Sequence, residues 1–263
     1  MKSNDVVELI KKFVQRDEGN YLPGSSKKMF AAPLVGFAEA GDPVFDEFAQ
    51  QQVIGEHHKK PEDFLSGART VISYFLPITE QICESNWKGE QASREWVFVR
   101  FYGELLNQRL RRFVSHQLES AGYKAAVPSL TSQFKSQDLS SNWSERHVAY
   151  ACGLGTFGLH AGLITAEGVS GRFGSVVTTL NIASTDRDYH TPFAYCLHYS
   201  DDSCGHCLNR CPVDALSKEG KDKNLCRNNL RREGSESRGL LGFPYAPCGK
   251  CYVDVPCQRE RPI

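Results

Sequence analysis

Cys204-Gly205-His206-Cys207-Leu208-Asn209-Arg210-Cys211-Pro212 sets three thiols within eight residues and closes on a proline. Seven residues separate it from an earlier cysteine, Cys196. The pattern returns downstream in a looser form: Cys226, a long insertion, Cys248-Gly249-Lys250-Cys251, five residues, and Cys257. Each half offers a distant first cysteine, a Cys-x-x-Cys pair, and a trailing cysteine beside a proline, Pro212 or Pro256. A Cys-x-x-Cys turn aims two thiolates at one face of an iron–sulfur cubane, while a trailing cysteine beyond the turn points the other way. Two such halves supply eight ligands, the number that two four-cysteine clusters require.

In the bacterial ferredoxin pattern the cysteine followed by proline ligates the other cluster. Applied here, that crossover puts one [4Fe–4S] cluster on Cys196, Cys204, Cys207 and Cys257, and the second on Cys211, Cys226, Cys248 and Cys251. Paired Cys-x-x-Cys units also hold structural zinc, but zinc needs neither Cys-Pro nor a third cysteine at short spacing. Asp201 occupies the position of the first cysteine in the compact motif and is the substitute ligand should Cys196 not serve. His206 is expected to tune or shield a cluster. Cys83 and Cys152 are left over and read as small buried hydrophobes.

The chain has 263 residues, 31 Lys+Arg against 31 Asp+Glu, and ten cysteines. Zero formal charge argues against a general nucleic-acid or membrane-surface binder, since both need a surplus of basic residues. No segment nears the ~20 apolar residues of a membrane span, and the N-terminus has no signal-peptide pattern. The expected location is the cytoplasm, with no membrane partner; in that reducing setting cysteines point to metal before disulfides. The crowding of cysteines after residue 195 marks a metal-organised C-terminal module, with a boundary near Asp186 to Pro192.

The N-terminal part alternates helix and strand signals. Val6–Val14 reads as a helix, and Val71-Ile72-Ser73-Tyr74-Phe75-Leu76 as a buried strand stopping at Pro77. From Trp96 to Leu118 apolar residues recur at three and four spacings, with Gly122 as the stop and Arg109, Arg111 and Arg112 on an expected solvated face. His147–Cys152 reads as a helix, and Leu163–Thr165 and Gly174–Leu180 as strands joined by a loop. The mixture predicts a layered α+β or α/β domain. Gly153, Gly155 and Gly158 either let the backbone approach a large flat cofactor or form a tight turn against the C-terminal module. They follow a helix and precede strands, which disfavours a dinucleotide fold.

The run Ser144-Glu145-Arg146-His147-Val148-Ala149-Tyr150-Ala151-Cys152-Gly153-Leu154-Gly155-Thr156-Phe157-Gly158 resembles the epoxyqueuosine reductase family, with its Glu-Arg, small apolar helix, Gly-Leu-Gly, aromatic and Gly. The match continues through Leu163-Ile164-Thr165 and Gly174-Ser175-Val176-Val177 into the cysteine pattern, and is weakest before Thr70. The ending from Cys248 to Cys257 is similar to a less characterised branch of these proteins.

The resemblance implies an α+β chain: a nitroreductase-like domain, residues 1–189, holding a base-off corrinoid (cobalamin), followed by a ferredoxin-like two-[4Fe–4S] domain, residues 190–263. Reductive dehalogenases share that architecture. Electrons would pass from a small donor protein, ferredoxin or flavodoxin, through both clusters to cobalt, for reduction of an unknown substrate. Arg227, Arg231, Arg232 and Arg238 around Cys226 suit an acidic donor, and equally suit a solvated helix face. Implied corrinoid contacts are Gly153, Gly155, Phe157, Gly158, His160 and Ser175; His160 reads otherwise as a structural hydrogen-bonding histidine.

The family's aspartate proton donor precedes the Glu-Arg in an Asp-Thr-Gly-Pro-like segment. Here Asp138-Leu139-Ser140-Ser141 stands in that place, offset by one residue and without the proline, making Asp138 the candidate catalytic residue. The chain also ends soon after Cys257, without the helical-repeat extension of some relatives. With the neutral charge, this argues against nucleic acid but leaves a tRNA substrate open. The competing expectations are an electron-transfer protein serving a partner corrinoid protein without a catalytic site of its own, and a zinc-stabilised interaction protein.

Overall fold

The computed structural model describes every residue except Asp138, Phe243 and Ala246, and the side chain of Gln137. The candidate proton donor Asp138 therefore lies outside the described residues. Helix α1 (Ser3–Arg16) is followed by strands β1 (Leu34–Glu39) and β2 (Thr70–Pro77), and by the long helix α2 (Arg94–Ser120). Next come β3 (Ala125–Ala126), helix α3 (Glu145–Ala151), β4 (Gly155–Phe157), β5 (Leu163–Thr165) and β6 (Gly171–Thr178).

The main sheet is antiparallel with order β1-β2-β6-β3. Its centre, β2, is buried at all eight positions, because both faces are covered and alternate side chains enter different layers. Ile72, Tyr74 and Leu76 pack with α1 and with Leu106, Leu110 and Val114 of α2. Val71 and Val177 pack on the opposite side with Trp143, Val148, Ala151 and Cys152. Gly174 lies opposite Tyr74 in the register, where a Cβ would run into the phenol; the phenol O–H donates instead to Asn107 Oδ1 at 2.8 Å.

The segments expected as strands at Leu163–Thr165 and Gly174–Leu180 belong to different sheets. β5 pairs with β4 in a separate hairpin, Gly155↔Thr165 through Phe157↔Leu163, while β6 joins the main sheet. Arg111 is a second difference: it is 4% exposed rather than solvated. Its guanidinium meets Glu104 at 2.8 Å and Glu145 at 3.2 Å, and it donates to the Phe173 carbonyl at 3.0 Å. Two carboxylates and a carbonyl supply the partners without which a buried cation is costly.

The C-terminal segment holds helix α4 (Lys223–Glu236), short helices Leu197–Asp201, His206–Asn209 and Arg238–Leu241, and a two-residue hairpin of Leu216–Ser217 with Gly220–Lys221. Its apolar core joins Tyr195, Cys196, Cys207, Leu216 and Val255 to Leu159 and Ile164 around the β4–β5 hairpin and to Val169. The hairpin thus packs with the cysteine-rich segment. The later chain also returns just ahead of β6: the amides of Val169 and Ser170 donate to the carbonyls of Cys257 and Gln258 at 2.9 and 3.2 Å. Gly168 permits this passage, since a Cβ there would meet the Gln258 and Arg259 backbone.

Candidate metal centre

All ten cysteines are free thiols. Cys83 and Cys152 are fully buried away from the other eight. Burial pushes the Cys83 thiol up to about 11 and raises that of Cys152 as well, so both are inert small hydrophobes.

Cys196, Cys204, Cys207 and Cys257 line one small pocket, walled by Leu159, Ile164 and Val255. Asp201 is not among the lining residues; its carboxylate accepts the Ser203 amide at 3.0 Å. Local structure explains the placement. Cys196 caps the helix Leu197–Asp201, Cys207 lies in His206–Asn209, and Cys257 arrives with the returning chain end. Burial raises the Cys257 thiol, and the adjacent sulfurs of Cys207, Cys196 and Cys204 raise it further.

Cys226 lies on α4, and Cys251 in the turn Lys250–Tyr252. Burial pushes Cys251 up to about 12, with further raising contributions from Cys226, Cys207 and Cys211. Cys248 also rises to about 12, from burial first, then Glu233, with Cys251 and Cys226 contributing. Cys251 thus stands near Cys207 as well as near Cys226 and Cys211.

The sulfurs receive specific donors. The Ala215 amide reaches Cys211 Sγ at 3.2 Å and Asn229 Nδ2 reaches Cys248 Sγ at 3.6 Å. Lys250 is 1% exposed, and its ammonium donates to the carbonyls of Asn86 and Lys88, both at 2.9 Å. Neither Asn229 nor Lys250 carries a sequence signal that foretells this. His206, expected beside a cluster, is exposed, whereas His160 is buried with Nε2 3.3 Å from Cys257 Sγ.

The donor set suits an iron–sulfur core. Burial raises the thiols of Cys207 and Cys251, and a cationic group that replaces their protons relieves that cost. Among the described residues no three His, Cys, Asp or Glu side chains converge as ligands of a single ion do. The first four thiols line the same small pocket.

The residues implied as corrinoid contacts lie on and around the β4–β5 hairpin, with Ser175 on β6. Gly155 and Gly158 are buried, and Gly153 takes a positive φ of 75° beside Thr185 and Asp186. Ser175 is fully buried and accepts the Trp143 indole N–H at 2.9 Å. Phe157, partly exposed, packs against His147 at 4.6 Å. Burial raises the Glu145 carboxyl, while Arg111 at 3.2 Å and the nearby Ser175 and Ser129 hydroxyls act the other way.

No protein-family profile and no curated sequence matches the chain. Solved structures do. An epoxyqueuosine reductase from Streptococcus thermophilus superposes with a TM-score of 0.57 at 18% identity, over 98% of this chain and 66% of that one. The fold is that of the epoxyqueuosine reductases. A second epoxyqueuosine reductase, solved with a modified tRNA stem loop, gives 0.59 at 17% identity, over 97% of this chain and 64% of that chain. A catabolic reductive dehalogenase gives 0.56 at 14% identity, over 88% of this chain and 30% of that chain. The chain therefore spans just under two thirds of the epoxyqueuosine reductases it matches. The likeness agrees with the resemblance in Ser144–Gly158. No helix among the described residues is long and apolar enough to cross a membrane.

Proposed function

We propose that the chain is an iron–sulfur reductase. In this reading a ferredoxin-like segment, residues 190–263, carries two [4Fe–4S] clusters, and the part before it, residues 1–189, holds a base-off corrinoid at which an unidentified substrate is reduced. The observation that carries the cluster reading is the single cavity edged by Cys196, Cys204, Cys207 and Cys257. The first cluster takes those four thiolates and the second takes Cys211, Cys226, Cys248 and Cys251. A bound corrinoid supplies low-valent cobalt chemistry. The chain's own residues would position it and exclude water, with Gly153, Gly155, Phe157, Gly158 and Ser175 among the implied contacts and Asp138 as proton donor.

The corrinoid is supported by the shared fold of two kinds of reductase, epoxyqueuosine and dehalogenating. Arg227, Arg231 and Arg238 sit on or just beyond α4, the helix that bears Cys226. That arrangement favours docking of an acidic ferredoxin or flavodoxin beside the second cluster.

Anaerobic reconstitution tests the reading. Protein loaded with iron and sulfide should be brown and contain about eight of each per chain. Added cobalamin should shift to its base-off visible spectrum. Clusters without cobalamin binding would instead identify an electron-transfer protein serving a partner corrinoid protein. A colourless zinc protein would overturn both.

A further inference from the structure

His160 is held from three sides. The Gly162 amide donates to its Nδ1 at 3.0 Å, so the hydrogen of the neutral ring is on Nε2. Nε2 faces Cys257 Sγ at 3.3 Å. The ring stands edge-on to Tyr252 with centroids 5.1 Å apart and is 1% exposed. Glycines make the space: a Cβ at position 158 would come within 2.8 Å of His160 Cε1, and one at 162 within 3.0 Å of Nδ1. Gly158 thus serves the imidazole.

We propose that His160 is a positioning residue of the first cluster, setting its reduction potential through an Nε2–H···Sγ bond to Cys257. The inference rests on the two-cluster reading above. When one electron enters the cluster, negative charge grows on the ligating sulfurs, and a fixed N–H donor stabilises that reduced state more than the oxidised one. The proton stays on nitrogen and only the electron moves. Because the ring is locked by Gly162 and Tyr252, the donor is oriented before reduction, as an outer-shell partner of a metal ligand must be. The second cluster has no imidazole donor among the described residues' contacts to its sulfurs; its recorded donors are the Ala215 amide and the Asn229 carboxamide. The two potentials therefore respond differently to position 160.

The test uses the full chain, anaerobically reconstituted, as wild type, His160→Leu and His160→Gln. Iron and sulfide are counted, and both midpoint potentials are read by EPR-monitored titration. His160→Leu should keep its iron and shift one midpoint to a more negative value while the other stays in place. His160→Gln, which restores an N–H, should fall between. Unmoved midpoints in iron-replete His160→Leu, or equal shifts of both, overturn the inference while leaving the two-cluster reading intact. A wild-type chain that binds no iron overturns both. Should His160→Leu lose its iron, pulsed EPR of reduced, ¹⁵N-histidine-labelled wild type decides. A nitrogen coupling that His160→Gln abolishes supports the bond, and a spectrum unchanged by that variant overturns it.

Discussion

The indole N–H of Trp96, in the first turn of α2, donates to the carbonyl oxygen of Pro247 at 2.9 Å. Trp96 is 1% exposed, and Gly249 takes a positive φ of 84° against it, where a Cβ would run into the indole. The second Cys-x-x-Cys turn is thus shaped on a side chain more than 150 residues earlier.

This contact gives a first prediction. Trp96→Phe leaves a buried carbonyl unpaired and should cost about 1–3 kcal/mol, read by urea denaturation of the reconstituted protein. Gly249→Ala adds left-handed strain of about 1–2 kcal/mol and a steric clash. It should lower iron content as well as stability. Full iron occupancy and wild-type stability in Gly249→Ala would show that the turn does not depend on this packing.

Arg111 gives a second. Arg111→Met strands Glu145 in the interior, while Glu104 keeps Arg172 at 2.8 Å, at a cost of about 3–5 kcal/mol. Adding Glu145→Gln removes that stranded charge, so the double variant should be more stable than Arg111→Met alone. A double variant no better than the single would mean that Glu145 is not held by this pair. The comparison needs only urea curves at neutral pH.

How much of this was legible beforehand depended on what kind of signal each residue carries. The unbroken apolar run of β2 and the three-and-four spacing of α2 announce themselves, because burial on a fixed period leaves a trace in composition. β1 left no such trace. Leu34-Val35-Gly36-Phe37-Ala38-Glu39 includes a glycine and an alanine, and its place comes from antiparallel pairing with β2. Gly36 is required there because a Cβ would collide with the Cys152 carbonyl, a tertiary fact invisible locally. Arg111 looks like its solvated neighbours until Glu104 and Glu145 are folded against it. Spacing singled out the eight cysteines as ligand candidates. It could not tell that His160 would face Cys257 while His206 faces solvent.

A third prediction concerns pH. Burial, with a smaller contribution from His57, lowers His58 to about 4, and its Nε2 accepts the Ser144 amide at 3.3 Å. The folded state keeps this imidazole neutral while the unfolded chain takes up a proton near pH 6.5. Its contribution is therefore complete above pH 6.5 and is lost as pH falls toward 4, at about 1.4 kcal/mol per unit. Burial, then Arg146, lowers His147 to about 3, giving the same sign. Stability should drop between pH 7 and 5, and His58→Phe should flatten that slope by one proton. An unchanged slope in the variant would assign the titration elsewhere.

The last prediction separates the two thiol groups by additivity. Cys257→Ala removes one wall of the cavity shared with Cys196, Cys204 and Cys207, and should lower iron from about eight to about four per chain. Cys196→Ala acts on the same cavity, so the pair Cys257→Ala with Cys196→Ala should lose no more than either alone. Cys251→Ala acts on the other group, so its pairing with Cys257→Ala should leave little iron. The opposite pattern, loss with Cys196 and sparing with Cys251, would place Cys257 in the second cluster and remove the crossover. Iron and sulfide analysis of five anaerobic preparations decides between them, because non-additivity is expected only for residues that hold one group together.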